Sequence, residues 1–188
     1  EVPDEISSIT LARADGERRP HPIGELEPLD RAWWALEGEV VLARAIDGAF
    51  WLSSEAEAPE RLYAPEPGGF VQDFRLAPDG RHLMISESRQ PAPSFELGAF
   101  DLLERVAIAE HSACRNGNAF EWRGEGPDFL LSSRACDDTG AIVANSLYHV
   151  RPGRAWETLA SHPEARPHLL SVAPGGGLAT LEIDGRWQ

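Results

Sequence analysis

Short apolar runs alternate with polar, glycine-containing turns along the chain, and the pattern repeats. In the segment "LAPDGRHLMIS" (76–86), Gly80 stands in a turn directly before the apolar run, and comparable turn-and-run segments contain Gly38, Gly126 and Gly176. Successive copies are about 46 residues apart, which is a period typical of repeat architectures. Each turn is predicted to be a hairpin turn with its glycine in the left-handed conformation, so these glycines are interpreted as structural.

A second pattern, a strand followed by a polar turn and another strand, comes after each of the first three turns. It occupies residues 49–64, 95–110 and 146–161. Alternating polarity with aromatic and β-branched residues favours strands, and no window of helical length shows helical periodicity. Each unit therefore has four predicted strands, which is the composition of a β-propeller blade.

The fourth unit has only two clear strands before the chain ends, and the N-terminal segment can complete it. Residues 7–23 resemble the second half of a blade, with Asp15–Gly16 as its turn, and pairing them with "GLATLEI" (177–183) would leave no open edge. The sequence thus predicts one all-β domain over residues 1–188, a small four-bladed β-propeller closed by its N-terminal strands. An irregular β-sandwich is the alternative.

The charge of the chain limits its partners. A formal net charge of −14 argues against nucleic acid, because phosphate binding requires a basic surface. No apolar run reaches the roughly 20 residues that a membrane span requires, so no membrane insertion is expected. An acidic surface suits a basic protein partner, although it also serves solubility alone.

The two cysteines bear on the compartment. A hairpin centred on Glu125 would set Phe120 opposite Leu130 and Cys114 opposite Cys136, which predicts a cross-strand disulfide. Disulfides persist in oxidising compartments, and the absence of an initial Met fits a removed signal peptide. We therefore expect a periplasmic or secreted protein. Two reduced cysteines in the cytosol are the alternative.

Two predicted loops are candidates for partner binding, because loops on a rigid scaffold often carry function. The loop "SESRQPAPS" (86–94) is stiffened by two prolines, and such a loop loses little entropy when it docks into a cleft. The loop "RACDDTG" (134–140) offers carboxylates to a cationic surface. The predicted partner-binding residues are Ser86, Glu87, Ser88, Arg89, Gln90, Ser94, Asp137 and Asp138. The alternatives are that the first loop is an ordinary connection between strands and that the second is a solvated turn.

Signs of catalysis are weak in the sequence. The histidines are scattered, no G-x-S-x-G nucleophile elbow is present, and "PGGGL" (174–178) falls in a predicted hairpin turn rather than before a helix. The group His162, Glu164 and His168 does not have the spacing of a helical zinc motif. We therefore expect no enzyme, no catalytic residue, no metal and no cofactor. Trp33 and Trp34 could line a sugar or peptide site, or belong to the core.

The segment from residue 69 to residue 150 resembles a known family. The run "FRLAPDGRHLMISES" (74–88), the serine-bearing loop after it, "FELGAFD" (95–101) and the two cysteines resemble immunity proteins that neutralise peptidoglycan amidases of the bacterial type VI secretion system. The resemblance implies a periplasmic, disulfide-containing β-protein that inserts a loop into the active-site groove of its effector. A serine of that loop, Ser88 or Ser94 here, would approach the catalytic histidine of the amidase.

Three functions follow from these observations. The first is a binding protein that inhibits a secreted cell-wall amidase toxin, with a basic amidase as its partner. The second is a periplasmic propeller that acts as a scaffold or a ligand-binding module of the cell envelope. The third is a propeller-based enzyme, which would require an acid–base pair converging on one face.

Overall fold

A computed structural model describes residues 9–12, 18–21, 28–89, 94–114, 119–123, 127–162, 168–172, 179–183 and 186–187. Within these ranges the regular elements are β-strands, together with one short 3-10 turn at Leu36–Gly38. The all-β prediction is confirmed. The chain divides into two compact units, Glu1–Phe70 and Val71–Gln188. No helix in the described ranges is long and apolar enough to cross a membrane.

The first unit contains a hairpin and a four-stranded sheet. The hairpin pairs β1 (Ile9–Ala12) with β2 (Arg18–His21), as predicted for residues 7–23. The antiparallel sheet follows chain order, with β3 (Leu29–Ala35), β4 (Val40–Ala45), β5 (Phe50–Ser54) and β6 (Glu60–Tyr63). Its buried cluster comprises Leu29, Val41, Ala43, Ala45 and Ala49. Alternate residues of β4 therefore supply one packed face, as the period of a strand requires.

The second unit contains two four-stranded sheets and a three-stranded one. The first consists of β7 (Gly69–Leu76), which begins at the boundary between the units, β8 (His82–Arg89), β9 (Ser94–Asp101) and β10 (Val106–Cys114). The next consists of β11 (Ala119–Trp122), β12 (Phe129–Cys136), β13 (Ile142–Val150) and β14 (Glu157–His162). The third consists of β15 (His168–Val172), β16 (Ala179–Ile183) and β17 (Arg186–Trp187).

The core of the second unit is shared by its two four-stranded sheets. Met84 and Leu97 from one sheet and Phe129 and Leu131 from the other belong to a single buried cluster. Trp122 packs edge-on against Phe129 and donates its indole N–H to the carbonyl of Arg75, 3.1 Å away. The two sheets are thus joined by apolar packing and by a hydrogen bond to the main chain.

The glycine-containing turns have the predicted conformation wherever they are described. Gly38 and Gly80 have φ values of 90° and 66°, which lie in the left-handed region that favours glycine. The carboxylate of Asp79 accepts the backbone N–H of Arg81 at 2.8 Å and closes the β7–β8 turn. Gly126 and Gly176 lie outside the described residues.

The predicted register of the third hairpin is wrong by one residue. The predicted position of Cys114 opposite Cys136 in that hairpin is also wrong. Phe120 pairs with Leu131 rather than with Leu130. Cys114 ends β10, where it pairs with Ser94 of β9, whereas Cys136 ends β12 in another sheet. A bridge between these cysteines would link two sheets rather than two strands of one hairpin. Cys136 is disulfide-bonded, and the side chain of Cys114 lies outside the described residues.

The closure of a ring is not established. β16 pairs with β15 and, at its end, with β17, while β1 pairs with β2. A ladder between "GLATLEI" and the N-terminal strands is not among the described pairings. The described strands therefore establish blade-like sheets, and the four-bladed closed propeller stays a prediction.

Candidate functional site

Three residues of the predicted inhibitory loop are buried strand residues. Ser86, Glu87 and Ser88 lie in β8 and are 3%, 2% and 5% exposed. The strand β8 lies between β7 and β9 within its sheet, so its backbone is paired on both edges. The prediction that the loop begins at Ser86 is wrong, because the β8–β9 ladder extends to the pair formed by Arg89 and Ser94.

The connection between β8 and β9 is consequently short. It comprises residues 90–93, including the predicted binding residue Gln90, and these lie outside the described residues. Arg89 and Ser94 are strand ends whose side chains are likewise not described. The partner-binding role predicted for this connection stays a prediction.

Asp137 organises a tight turn between β12 and β13. Its carboxylate accepts hydrogen bonds from the Thr139 hydroxyl at 2.6 Å and from the backbone N–H groups of Thr139 and Ala141 at 2.9 and 3.0 Å. The hydroxyl of Thr139 and then the N–H of Ala141 lower the pKa of this exposed carboxyl. Asp137 thus has a turn-forming role, while its neighbour Asp138 is exposed to solvent.

The first unit contains a cavity of about 320 Å³. It is lined by His21, Trp34, Gly38, Glu39, Val41, Ser53, Ser54, Glu55 and Ala56. The residues come from β2, from three strands of the sheet and from the turns at one end of that sheet. The volume is at the lower end of the range found for small-molecule sites, so the cavity suits one side chain or a small ligand.

The register of the sheet explains how the cavity forms. Trp34 pairs with Val41, and Val41 pairs with Ser53, so these three residues share one face of the sheet. The 3-10 turn before β4 and the turn after β5 lie at the same end of the sheet, since both adjoin the pair Val40 and Ser54. The hydroxyl of Ser54 accepts the backbone N–H of Glu57 at 3.0 Å and holds the second turn in place.

The cavity combines an exposed aromatic side chain with acidic and buried polar groups. Trp34 is 55% exposed, whereas His21 and Ser53 are each 3% exposed. Burial lowers the pKa of His21, and the charge of Glu55 acts in the opposite direction without reversing the shift. The imidazole is therefore mostly neutral at pH 7, and the carboxylates of Glu39 and Glu55 make the cavity net acidic.

A histidine and a serine meet between the two four-stranded sheets of the second unit. Nε2 of His111 in β10 lies 2.8 Å from Oγ of Ser133 in β12. The imidazole also packs against Trp156 and Tyr148, with ring centroids 4.7 and 6.2 Å away. Burial lowers the pKa of His111, and the carboxylate of Glu96 partly opposes this effect. The neutral imidazole can accept the serine proton, but Ser133 is only 4% exposed, so the pair serves to join the sheets.

Two further histidines are held by carboxylates near the starts of strands. Nδ1 of His82 lies 2.6 Å from the carboxylate of Asp79, within the β7–β8 turn. Nε2 of the buried His149 lies 3.0 Å from the carboxylate of Asp128. Arg123 Nη1 lies 3.3 and 3.2 Å from the two ring nitrogens of His149, so the guanidinium sits against the ring face. Both histidines are interpreted as structural groups of their sheets.

Sequence reasoning identified part of the cavity. Trp34 was a candidate for a sugar or peptide site, and its exposure excludes the alternative that it belongs to the core. His21, Glu39 and Glu55 were missed. The available signal was an acidic residue at the outer end of each of two consecutive strands, Glu39 before β4 and Glu55 after β5. In the described part of the chain, no group of three or more His, Cys, Asp or Glu residues could hold a metal ion.

Comparison with known proteins supports the fold alone. No protein-family model and no curated protein sequence matches the chain. The β-propeller domain of the Trilobed protease from Pyrococcus furiosus is similar in structure, with a TM-score of 0.60 and 12% identity over 93% of this chain and 54% of that one. Acylaminoacyl peptidase from Pyrococcus horikoshii is also similar, with a TM-score of 0.57 and 12% identity over 93% of this chain and 30% of that one.

The propeller of Dos1 is also similar, with a TM-score of 0.51 and 10% identity over 93% of this chain and 47% of that one. The chain therefore spans between about a third and about half of the length of each of these three structures. These similarities define a β-propeller-like fold.

Proposed function

We propose that the chain is a recognition domain that binds a basic segment of a partner protein in the cavity of its first unit. The observation that carries the proposal is the exposed indole of Trp34 beside Glu39 and Glu55 in one concave site. A cation over an indole face is attracted by the ring, and carboxylates add charge-assisted hydrogen bonds. The formal charge of −14 would further steer a basic partner toward the protein.

Peptide binding tests the proposal directly. Fluorescence anisotropy is measured with labelled peptides that are basic, neutral or acidic but otherwise identical. We expect binding of the basic peptides alone, and about tenfold weaker binding after Trp34→Ala, as the loss of a desolvated cation–π contact implies. Glu55→Gln should also weaken the binding of the basic peptides. Its matched control is Glu110→Gln, which removes the same charge at an exposed position of β10. Equal binding of acidic and basic peptides would overturn the proposal.

A narrower proposal concerns the partner. The acidic charge and the bonded Cys136 support a periplasmic protein that neutralises a basic cell-wall amidase, with the connection 90–93 reaching into its active site. The test compares inhibition of a purified amidase of this class by the native protein and by a variant with Gly and Ser at 90–93. We expect the native protein to inhibit the amidase and the variant to lose this inhibition. Inhibition of equal strength would exclude this connection as the inhibitory element.

Two structural proposals accompany this function. The sheets would be blades of one small β-propeller, which the repeat period and the propeller neighbours support. The bond of Cys136 would join it to Cys114, since these are the two cysteines of the sequence. A crystal structure of the oxidised protein tests both, and an open arrangement of strands would overturn the first.

A further inference from the structure

We propose that the cavity of the first unit recognises an arginine side chain of the partner in preference to lysine. This inference rests on the proposed function and names the chemical group that the site would take. Three features carry it: the placement of two carboxylates, the aromatic wall and the size of the cavity.

The two carboxylates lie at the same end of the sheet. Val40 pairs with Ser54 at the end of the β4–β5 ladder, and Glu39 and Glu55 are the residues next to this pair along the chain. Both residues line the cavity. A planar guanidinium presents five N–H donors in a fixed fork and can contact both carboxylates, whereas an ammonium is a compact point charge.

The indole of Trp34 supplies a surface for the flat face of the same group. Trp34 is 55% exposed although it shares a face of the sheet with the buried Val41. Guanidinium groups stack on aromatic faces and are more weakly hydrated than ammonium groups. The indole and the carboxylates thus favour the same planar cation.

The remainder of the cavity is compatible with a cation. Ser53 forms part of the same face, and its hydroxyl is buried. Burial keeps His21 mostly neutral at pH 7, so that the imidazole does not repel a positive ligand. A volume of about 320 Å³ suits one long side chain rather than a folded segment.

The experiment uses three peptides that differ only at a central residue, which is Arg, Lys or citrulline. Citrulline keeps the planar shape of arginine without its charge. Isothermal titration calorimetry is performed with the native chain and with Glu39→Gln, Glu55→Gln, Trp34→Phe and Glu110→Gln. Circular dichroism verifies that each variant is folded.

The expected result is at least about tenfold tighter binding of the Arg peptide than of the other two, a difference of about 1.4 kcal/mol. Either cavity glutamine variant should reduce this preference, while Trp34→Phe retains much of it and Glu110→Gln retains all of it. Equal affinity for the Arg and Lys peptides would overturn the arginine assignment and leave the recognition of basic segments intact. No binding of either basic peptide would overturn both proposals.

Discussion

Nε2 of His111 lies 2.8 Å from Oγ of Ser133, and this contact joins β10 to β12 of the neighbouring sheet. The partners are distant in sequence but meet in a half-buried layer with Tyr148 and Trp156. The polar contact is therefore embedded in an aromatic cluster, where an unpaired nitrogen would be costly.

Replacement of Ser133 by Ala removes the hydrogen-bond partner of His111. We expect the free energy of unfolding to fall by about 1 kcal/mol, because the imidazole nitrogen would be left half-buried and unpaired. Urea denaturation measures the change. The control is Ser112→Ala, whose hydroxyl bonds Glu96 at an exposed position and should cost less than about 0.5 kcal/mol. Equal losses in the two variants would contradict the role assigned to Ser133.

The stability of the protein should fall as the pH decreases from 7.5 to 5. Burial lowers the pKa values of His21 and His111 from 6.5, so near and below this pH the unfolded chain binds more protons than the folded one. The contribution is fully present above the unfolded pKa and is lost as the pH falls through 6.5 toward the lowered folded values. Urea midpoints across this range test the prediction, and His111→Gln should flatten the profile. A profile unchanged by that substitution would contradict it.

Asp101 stabilises the turn that ends β9. Its carboxylate accepts Nε of Arg81 at 3.0 Å and the backbone N–H groups of Leu103 and Glu104 at 3.0 and 3.2 Å. Burial alone would raise the pKa of Asp101, but the hydrogen bond from Arg81 and those from the backbone lower it overall.

Asp101→Asn should consequently reduce the free energy of unfolding by about 2 kcal/mol, since it weakens a buried, charge-assisted network. The comparison is Asp137→Asn, which weakens a similar set of turn hydrogen bonds at an exposed position. Water can replace those bonds, so the urea midpoint should shift less. A larger shift for Asp137→Asn would refute this reasoning.

The proposed Cys114–Cys136 bridge predicts a loss of stability on reduction. Closing a loop of this length stabilises a protein by about 3 kcal/mol in the chain-entropy description. The melting temperature is measured before and after treatment with a phosphine reductant, and Cys114→Ser/Cys136→Ser should match the reduced protein. Labelling of Cys114 by a thiol reagent in the unfolded, unreduced protein would rule out this pairing.

The sequence predicted those features that depend on local chemistry. The turn at Gly80 was predictable because few residues other than glycine adopt its φ of 66° readily. The strand–turn–strand segments were predictable from alternation of period two, and β5–β6, β9–β10 and β13–β14 match them. Each of these predictions required only neighbours along the chain.

The errors arose where pairing between strands that are separated along the sequence determines the structure. The polar segment Ser86–Ser88 suggested a loop, but pairing with Glu96 and its neighbours on β9 continues the strand, and these side chains are buried. Glu39 and Glu55 likewise share a site only because of the β4–β5 register. Polarity alone indicated neither the burial of the serines nor the meeting of the two glutamates.

The two carboxylates that line the cavity connect recognition with thermal stability. A ligand that binds only the folded chain stabilises it by mass action, to an extent set by its affinity. Glu39→Gln weakens recognition, so an arginine peptide should raise the melting temperature of the native chain more than that of the variant.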